Sequence, residues 1–110
     1  MRQYRIDELR LADYEKIKSH MEDSFGPSAL DGLYWVPVEQ SLLDDIQIAH
    51  TDCQPFYFAV ELQEDYISFE LLIRSKERIR CDCIQYANWE QRESIIRFAD
   101  HLFETLKIMT

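Results

Sequence analysis

Residues 56–86 read FYFAVELQEDYISFELLIRSKERIRCDCIQY, and apolar side chains alternate with other residues along two segments of this stretch. Alternation with a period of two is typical of a β-strand that buries one face. A two-residue turn at residues 64–65 would join the two segments into an antiparallel hairpin. The register that gathers the apolar side chains on one face pairs Leu62 with Ile67, Val60 with Phe69, Phe58 with Leu71 and Phe56 with Ile73.

A third strand is predicted to follow the polar tip at residues 75–77. If this strand continues the alternation, Ile79, Cys81 and Cys83 lie on the apolar face, and both thiols point into the core. The same register places Glu70 opposite Asp82 on the outer face of the sheet.

Helical periodicity precedes and follows these strands. A first helix is predicted from the apolar residues Tyr14, Ile17, Met21 and Phe25, and it should end at Gly26 and Pro27. A last helix should begin at a capping box formed by Asn88 and Gln91. Its predicted buried stripe consists of Ile95, Ala99, Leu102, Phe103 and Leu106.

Two shorter elements are predicted between the first helix and the hairpin. Residues 33–38 favour a strand, and Pro37 places that strand at a sheet edge or ends it, because proline has no N–H to donate. Ser41 and Asp44 resemble a helix cap, and the short helix that follows should run to about His50. Its predicted apolar side consists of Leu42, Leu43, Ile46 and Ala49.

The elements follow one another in the order α-β-(short α)-β-β-β-α. Because the two long helices have one apolar sheet face to cover, we predict an α+β two-layer sandwich with both helices on that face. Its sheet is mostly antiparallel and has about four strands. The chain has 110 residues and no Gly/Ser-rich linker, so residues 1–110 are expected to form a single domain.

The charge of the chain restricts its partners. Twenty-one acidic and twelve basic side chains give a formal charge of −9, which repels the phosphates of nucleic acids and of anionic membranes. We therefore expect neither as a partner. No apolar stretch has the length of a signal peptide or a membrane span, so we expect a cytoplasmic protein.

Four potential soft ligands fall into two clusters, His50-x2-Cys53 and Cys81-x-Cys83. Positions i and i+3 share one side of a helix end, and positions i and i+2 share one face of a strand, so the clusters could converge on a tetrahedral zinc ion. Zinc is the one cofactor that the sequence suggests. The opposing hypothesis is that all three cysteines are small buried side chains of the core.

A third hypothesis for the same residues is a thiol-dependent enzyme centred on Cys53, with His50 as the base. No glycine-rich elbow and no Ser/His/Asp order accompanies the pair, so enzyme activity is disfavoured, and no catalytic residue is assigned.

The outer sheet face is predicted to be unusually apolar for a solvated surface. An apolar and aromatic patch with a charged rim suits protein binding. The function that we predict first is therefore a protein-interaction or adaptor domain that also associates with itself as a homodimer. The predicted partner-binding residues are Tyr57, Leu72, Arg80, Ile84 and Tyr86.

Overall fold

The computed structural model describes residues 2–28, 30–77 and 80–108. The predicted core position of Ile79 lies outside these ranges. Within these ranges six strands and three α-helices make up an α+β fold with an antiparallel sheet, so the class agrees with the prediction and the predicted count of about four strands is too low. In chain order they are β1 (Gln3–Asp7), α1 (Leu11–Phe25), β2 (Leu33–Pro37), α2 (Asp45–Ala49), β3 (Phe56–Leu62), β4 (Tyr66–Glu70), β5 (Leu72–Ser75), β6 (Gln85–Tyr86) and α3 (Trp89–Leu106). Short 3-10 turns at Gln40–Leu42 and Thr51–Cys53 flank α2.

Strand β3 is the centre of the sheet. Val60 pairs with Tyr34 on one side and with Phe69 on the other, so β2 and β4 lie on opposite sides of β3. Tyr57 pairs with both Pro37 and Arg74, which places β5 on the same side as β4. Strands β1 and β6 then pair with β4 and β5 respectively, so β3, β4 and β5 are flanked on both sides.

The predicted hairpin register is confirmed in its first half and shifted in its second. Leu62 pairs with Ile67 and Val60 with Phe69, as expected. Phe56 pairs with Ser75 rather than with Ile73, a slip of two residues.

The slip occurs at Leu71, which separates β4 from β5. Its N–H donates to the carbonyl of Arg2 at 3.0 Å, and its carbonyl accepts from the N–H of Ala87 at 2.7 Å. Leu71 thus bonds to the neighbouring edge segments, and the predicted pair with Phe58 does not form. Because the side-chain period is two, the slip leaves Phe69, Leu71 and Ile73 on the buried face.

The predicted third strand is wrong for the cysteine segment. Among the described residues of this segment, from 80 onward, Gln85 and Tyr86 alone pair with β5, whereas residues 81–84 form a turn closed by the N–H of Ile84 and the carbonyl of Cys81 at 3.0 Å. The side-chain amide of Gln85 donates to the carbonyl of Asp82 at 2.8 Å and stabilises this turn against an extended strand. Cys83 is fully buried as predicted, but Cys81 is only half-buried.

The predicted opposition of Glu70 and Asp82 is also wrong. Strand β1, which the sequence did not predict, pairs with β4 and puts Gln3 opposite Glu70. The carboxylate of Glu70 accepts from the guanidinium of Arg74 at 2.7 Å. The structure therefore has a strand before α1 that the predicted element order lacks. The prediction also treated β4 and β5 as one continuous strand.

The two long helices agree with the prediction. Helix α1 ends at Gly26, whose positive φ of 83° suits glycine and whose N–H donates to the carbonyl of Glu22. Helix α3 begins at Asn88, and both bonds of the capping box with Gln91 are present. None of the helices in the described ranges combines the length and the apolar character that a membrane span requires.

The ring of Phe98 joins the helices to the sheet. It contacts Phe58 and Phe69 of the buried sheet face and Phe25 of α1, with ring centroids 5.6, 6.2 and 6.0 Å away. Tilted and edge-to-face rings at these distances stabilise a core beyond the area that they bury. The long helices therefore meet at the face that carries the phenylalanines of β3 and β4.

The short helix differs from its prediction. Asp44, rather than Ser41, is the cap of α2, and Ser41 lies in the preceding 3-10 turn. Ile46 is 41% exposed, contrary to the predicted apolar side, whereas Gln47 is completely buried. The capping box between Asp44 and Gln47 sets this orientation, because it fixes the start of the helix and turns the Gln47 amide inward.

Candidate metal centre

Three cysteine sulfurs from two distant parts of the chain lie together. The Sγ atoms of Cys53, Cys81 and Cys83 are all within 4.8 Å of one another, and those of Cys53 and Cys81 are 3.8 Å apart. Cys53 ends the 3-10 turn before β3, while Cys81 and Cys83 belong to the turn before β6. None of the three forms a disulfide.

Both backbone polar groups of Cys53, its N–H and its carbonyl, form hydrogen bonds. Its N–H donates to the carbonyl of His50 at 3.0 Å, and its carbonyl accepts from the hydroxyl of Ser75 at 2.6 Å. Ser75 is buried at the end of β5, and its pairing with Phe56 brings it beside Cys53. Cys53 is therefore positioned by the junction of β3 and β5.

The second cysteine segment is anchored to the helices by two buried glutamines. The side-chain amide of Gln47 donates to the carbonyl of Cys83 at 3.2 Å. The amide of Gln91 donates to the side-chain oxygen of Gln47 at 2.9 Å and to the carbonyl of Leu42 at 2.9 Å. A buried amide without a partner costs about 1–3 kcal/mol, so these bonds favour one position of the turn relative to α2 and α3.

The three thiols differ in how readily they ionise. Burial raises the pKa of Cys83 to about 12 and also raises the pKa of Cys53. The pKa of Cys81 is lowered, first by a hydrogen bond from the backbone N–H of Cys83 and then by the Cys83 thiol. Without a metal, the cluster therefore contains two thiols that hold their protons firmly and one that releases its proton more easily.

His50 lies near the sulfurs but outside their group. Its Nδ1 is 2.6 Å from the carbonyl oxygen of Ile46, a contact that requires a proton on Nδ1. This bond is the main cause of the raised pKa of His50, and the charge of Cys81 adds to it. In the neutral form of the ring, a proton on Nδ1 leaves the lone pair of Nε2 free, which is the tautomer of a metal-binding histidine with a backbone partner.

The sulfur spacing suits a tetrahedral thiolate site. Zinc binds cysteine sulfur at about 2.3 Å, and a regular tetrahedron then places neighbouring sulfurs about 3.8 Å apart. The Sγ atoms of Cys53 and Cys81 are separated by this distance. The three sulfurs, all within 4.8 Å of one another, could thus hold a zinc-like ion.

The arrangement does not favour the thiol-enzyme hypothesis. A cysteine nucleophile needs exposure and a lowered pKa, whereas Cys53 is 2% exposed and its pKa is raised.

The five predicted partner-binding residues fall into two groups. Tyr57, Leu72 and Tyr86 lie on the outer sheet face, with Leu72 and Tyr86 paired across β5 and β6. Ile84 packs partly against the core, and Arg80 lines a shallow recess beside Cys81. Arg80 and Ile84 therefore belong to the surroundings of the cysteine turn.

Further side chains border the predicted residues on the outer face. Trp35 contacts Tyr57 edge-to-face with centroids 6.3 Å apart, and the ammonium of Lys76 lies 4.4 Å from the Tyr57 ring. Tyr86 is 49% exposed, and the guanidinium of Arg2 lies 4.9 Å from its ring.

The residues that anchor the cysteines are not predicted from the sequence. The sequence predicts Gln91 as part of a helix cap, but no pattern in it indicates that the amides of Gln91 and Gln47 are buried. The role of Ser75 depends on its pairing with Phe56, and the predicted register excluded that pair.

Comparison with models of protein families, with curated proteins and with solved structures found no match for this chain.

Proposed function

We propose that this protein binds a zinc ion through the thiolates of Cys53, Cys81 and Cys83. The observation that carries the proposal is the convergence of three sulfur atoms within 4.8 Å of one another. Thiolates are soft ligands that favour zinc and other thiophilic metals over magnesium or calcium. The spacing of Cys53 and Cys81 agrees with the tetrahedral geometry of zinc.

His50 supplies the fourth ligand in this proposal. Its Nδ1–H is engaged by Ile46, so Nε2 can donate its lone pair to a metal. The ring lies close enough to Cys81 for the thiolate charge to raise its pKa, although it is outside the sulfur group. The segment that carries His50 would have to move toward the sulfurs to complete a Cys3His site.

A site with four protein ligands has a structural role. Zinc centres that act on substrates keep one coordination position for water or substrate, whereas structural centres are closed. The ion would tie the turn before β3 to the turn before β6. This role does not require enzyme activity.

Purified protein is expected to contain close to one zinc ion per chain by elemental analysis. Cys53→Ser, Cys81→Ser and Cys83→Ser should each weaken zinc binding by about 100-fold or more, because each removes a thiolate ligand.

His50→Ala should retain cobalt(II) binding but change its ligand-field absorption. His101→Ala is the matched control and should behave as wild type, because His101 is exposed on α3. Metal-free protein whose thermal stability does not respond to zinc or to a chelator would contradict the proposal.

Zinc affinity should rise with pH. The pKa values of Cys53 and Cys83 are raised, so zinc must displace their protons at neutral pH. At pH values below the thiol pKa, the zinc affinity rises about tenfold per pH unit for each proton that zinc displaces. Titration calorimetry in buffers of different ionisation enthalpy measures the protons released. An affinity that does not change between about pH 6 and pH 8 would refute the proposed thiolate coordination.

A second candidate function is protein binding through the outer sheet face, with a second copy of the chain as the partner. A shallow concavity of about 480 Å³ lies on this face, and its lining includes Leu33, Ala59 and Tyr86. The small side chain of Ser68 also lines it, and the aromatic residues Trp35 and Tyr57 lie on the same face. Exposed aromatic and aliphatic side chains with a charged rim are typical of protein contacts.

Leu72→Asp should convert a dimer to a monomer in light-scattering measurements, because a charge in an apolar contact loses its hydration without a partner. Ile48→Asp is the matched control, since Ile48 is 49% exposed on α2, away from the sheet face, and its substitution should leave the dimer intact. A wild-type chain that stays monomeric at every concentration tested would contradict self-association.

A further inference from the structure

We propose that oxidation controls the metal centre: a peroxide joins Cys53 and Cys81 in a disulfide, and the zinc ion leaves. The release of the metal rests on the proposed function, whereas formation of the disulfide depends only on the positions of the thiols. The regulated feature is thus the cysteine group itself, and the oxidant is a small hydroperoxide.

The two sulfurs are already close to bonding distance. Their separation is 3.8 Å, and a disulfide requires about 2.0 Å, so an approach of roughly 1.8 Å suffices. Cys81 lies in a turn outside regular secondary structure, where a small backbone change does not break a strand ladder. Cys53 is held by Ser75 and provides the fixed partner.

Access from solvent selects the thiol that reacts first. Cys81 is half-buried beside a shallow surface recess, which is lined by Arg80, Asp82 and Ile84. Cys53 and Cys83 are 2% and 0% exposed. A small peroxide therefore reaches Cys81 before it reaches the other two sulfurs.

The chemistry proceeds in two balanced steps. The sulfur of Cys81 attacks one oxygen of hydrogen peroxide, the O–O bond breaks, and Cys81 sulfenic acid forms with release of water. The sulfur of Cys53 then attacks the Cys81 sulfur, the S–O bond breaks, and a second water leaves. The two thiols lose two electrons and two protons in total, and the peroxide takes up both. Two zinc-bound thiolates require two protons from solvent for the same products.

Cys83 is the thiol that remains outside the disulfide. It is fully buried, and its carbonyl is held by Gln47. Once Cys53 and Cys81 are joined, only Cys83 and His50 remain as ligands. Two ligands do not complete the tetrahedral shell that zinc requires, so the ion is released.

The test treats the full chain, zinc-loaded and metal-free, with stoichiometric hydrogen peroxide. Intact mass spectrometry measures the loss of hydrogen atoms, peptide mapping after alkylation locates the disulfide, and a chromogenic chelator measures free zinc. We expect the loss of two hydrogens per chain and a Cys53–Cys81 link in both forms. Zinc release should follow disulfide formation, and a dithiol reductant should restore binding.

Two variants separate the possible pairings in the metal-free chain. Cys83→Ser keeps the reactive pair and should form the same disulfide, whereas Cys53→Ser should form no intramolecular disulfide. A Cys81–Cys83 link, sulfinic acid at Cys81 or disulfide-linked dimers as the main product would overturn the inference, and so would zinc that stays bound after the link has formed. A chain that forms the Cys53–Cys81 link but never binds zinc would refute the proposed function while supporting the thiol pair.

Discussion

The pairing of Phe56 with Ser75 is the constraint on which the cysteine centre depends. It brings the end of β5 beside the start of β3, so the Ser75 hydroxyl reaches the carbonyl of Cys53. The chain that leaves β5 then returns through the turn that contains Cys81 and Cys83. The three sulfurs lie together because the sheet register places the end of β5 beside Cys53 at the start of β3.

The polar interior supports the same arrangement from the helical side. Two capping boxes begin α2 and α3, and the third helical residue of each is a buried glutamine. The amide of Gln91 donates to the side-chain oxygen of Gln47, and the amide of Gln47 donates to the carbonyl of Cys83. Residues that begin helices thereby also hold the cysteine turn, which couples the local stability of both helix starts to the centre.

The fold class and the long helices could be predicted from sequence because they depend on local periodicity. The apolar alternation of β3 and β4 fixes which face is buried, and that face survives the slip at Leu71. The slip itself could not be predicted, because it arises from hydrogen bonds of Leu71 to Arg2 and Ala87 in distant segments. Cys81 and Cys83 were named as candidate ligands with Cys53, but as neighbours on a strand. Their meeting with Cys53 depends on the shifted register and on a turn that side chains stabilise.

In the proposed centre, sulfur atoms from both cysteine segments bind one metal ion. X-ray absorption at the zinc edge of the loaded protein tests this coordination, because it counts and identifies the atoms bound to zinc. We expect three sulfurs at about 2.3 Å from the zinc ion and one nitrogen at about 2.0–2.1 Å. A shell made only of nitrogen and oxygen atoms would contradict it.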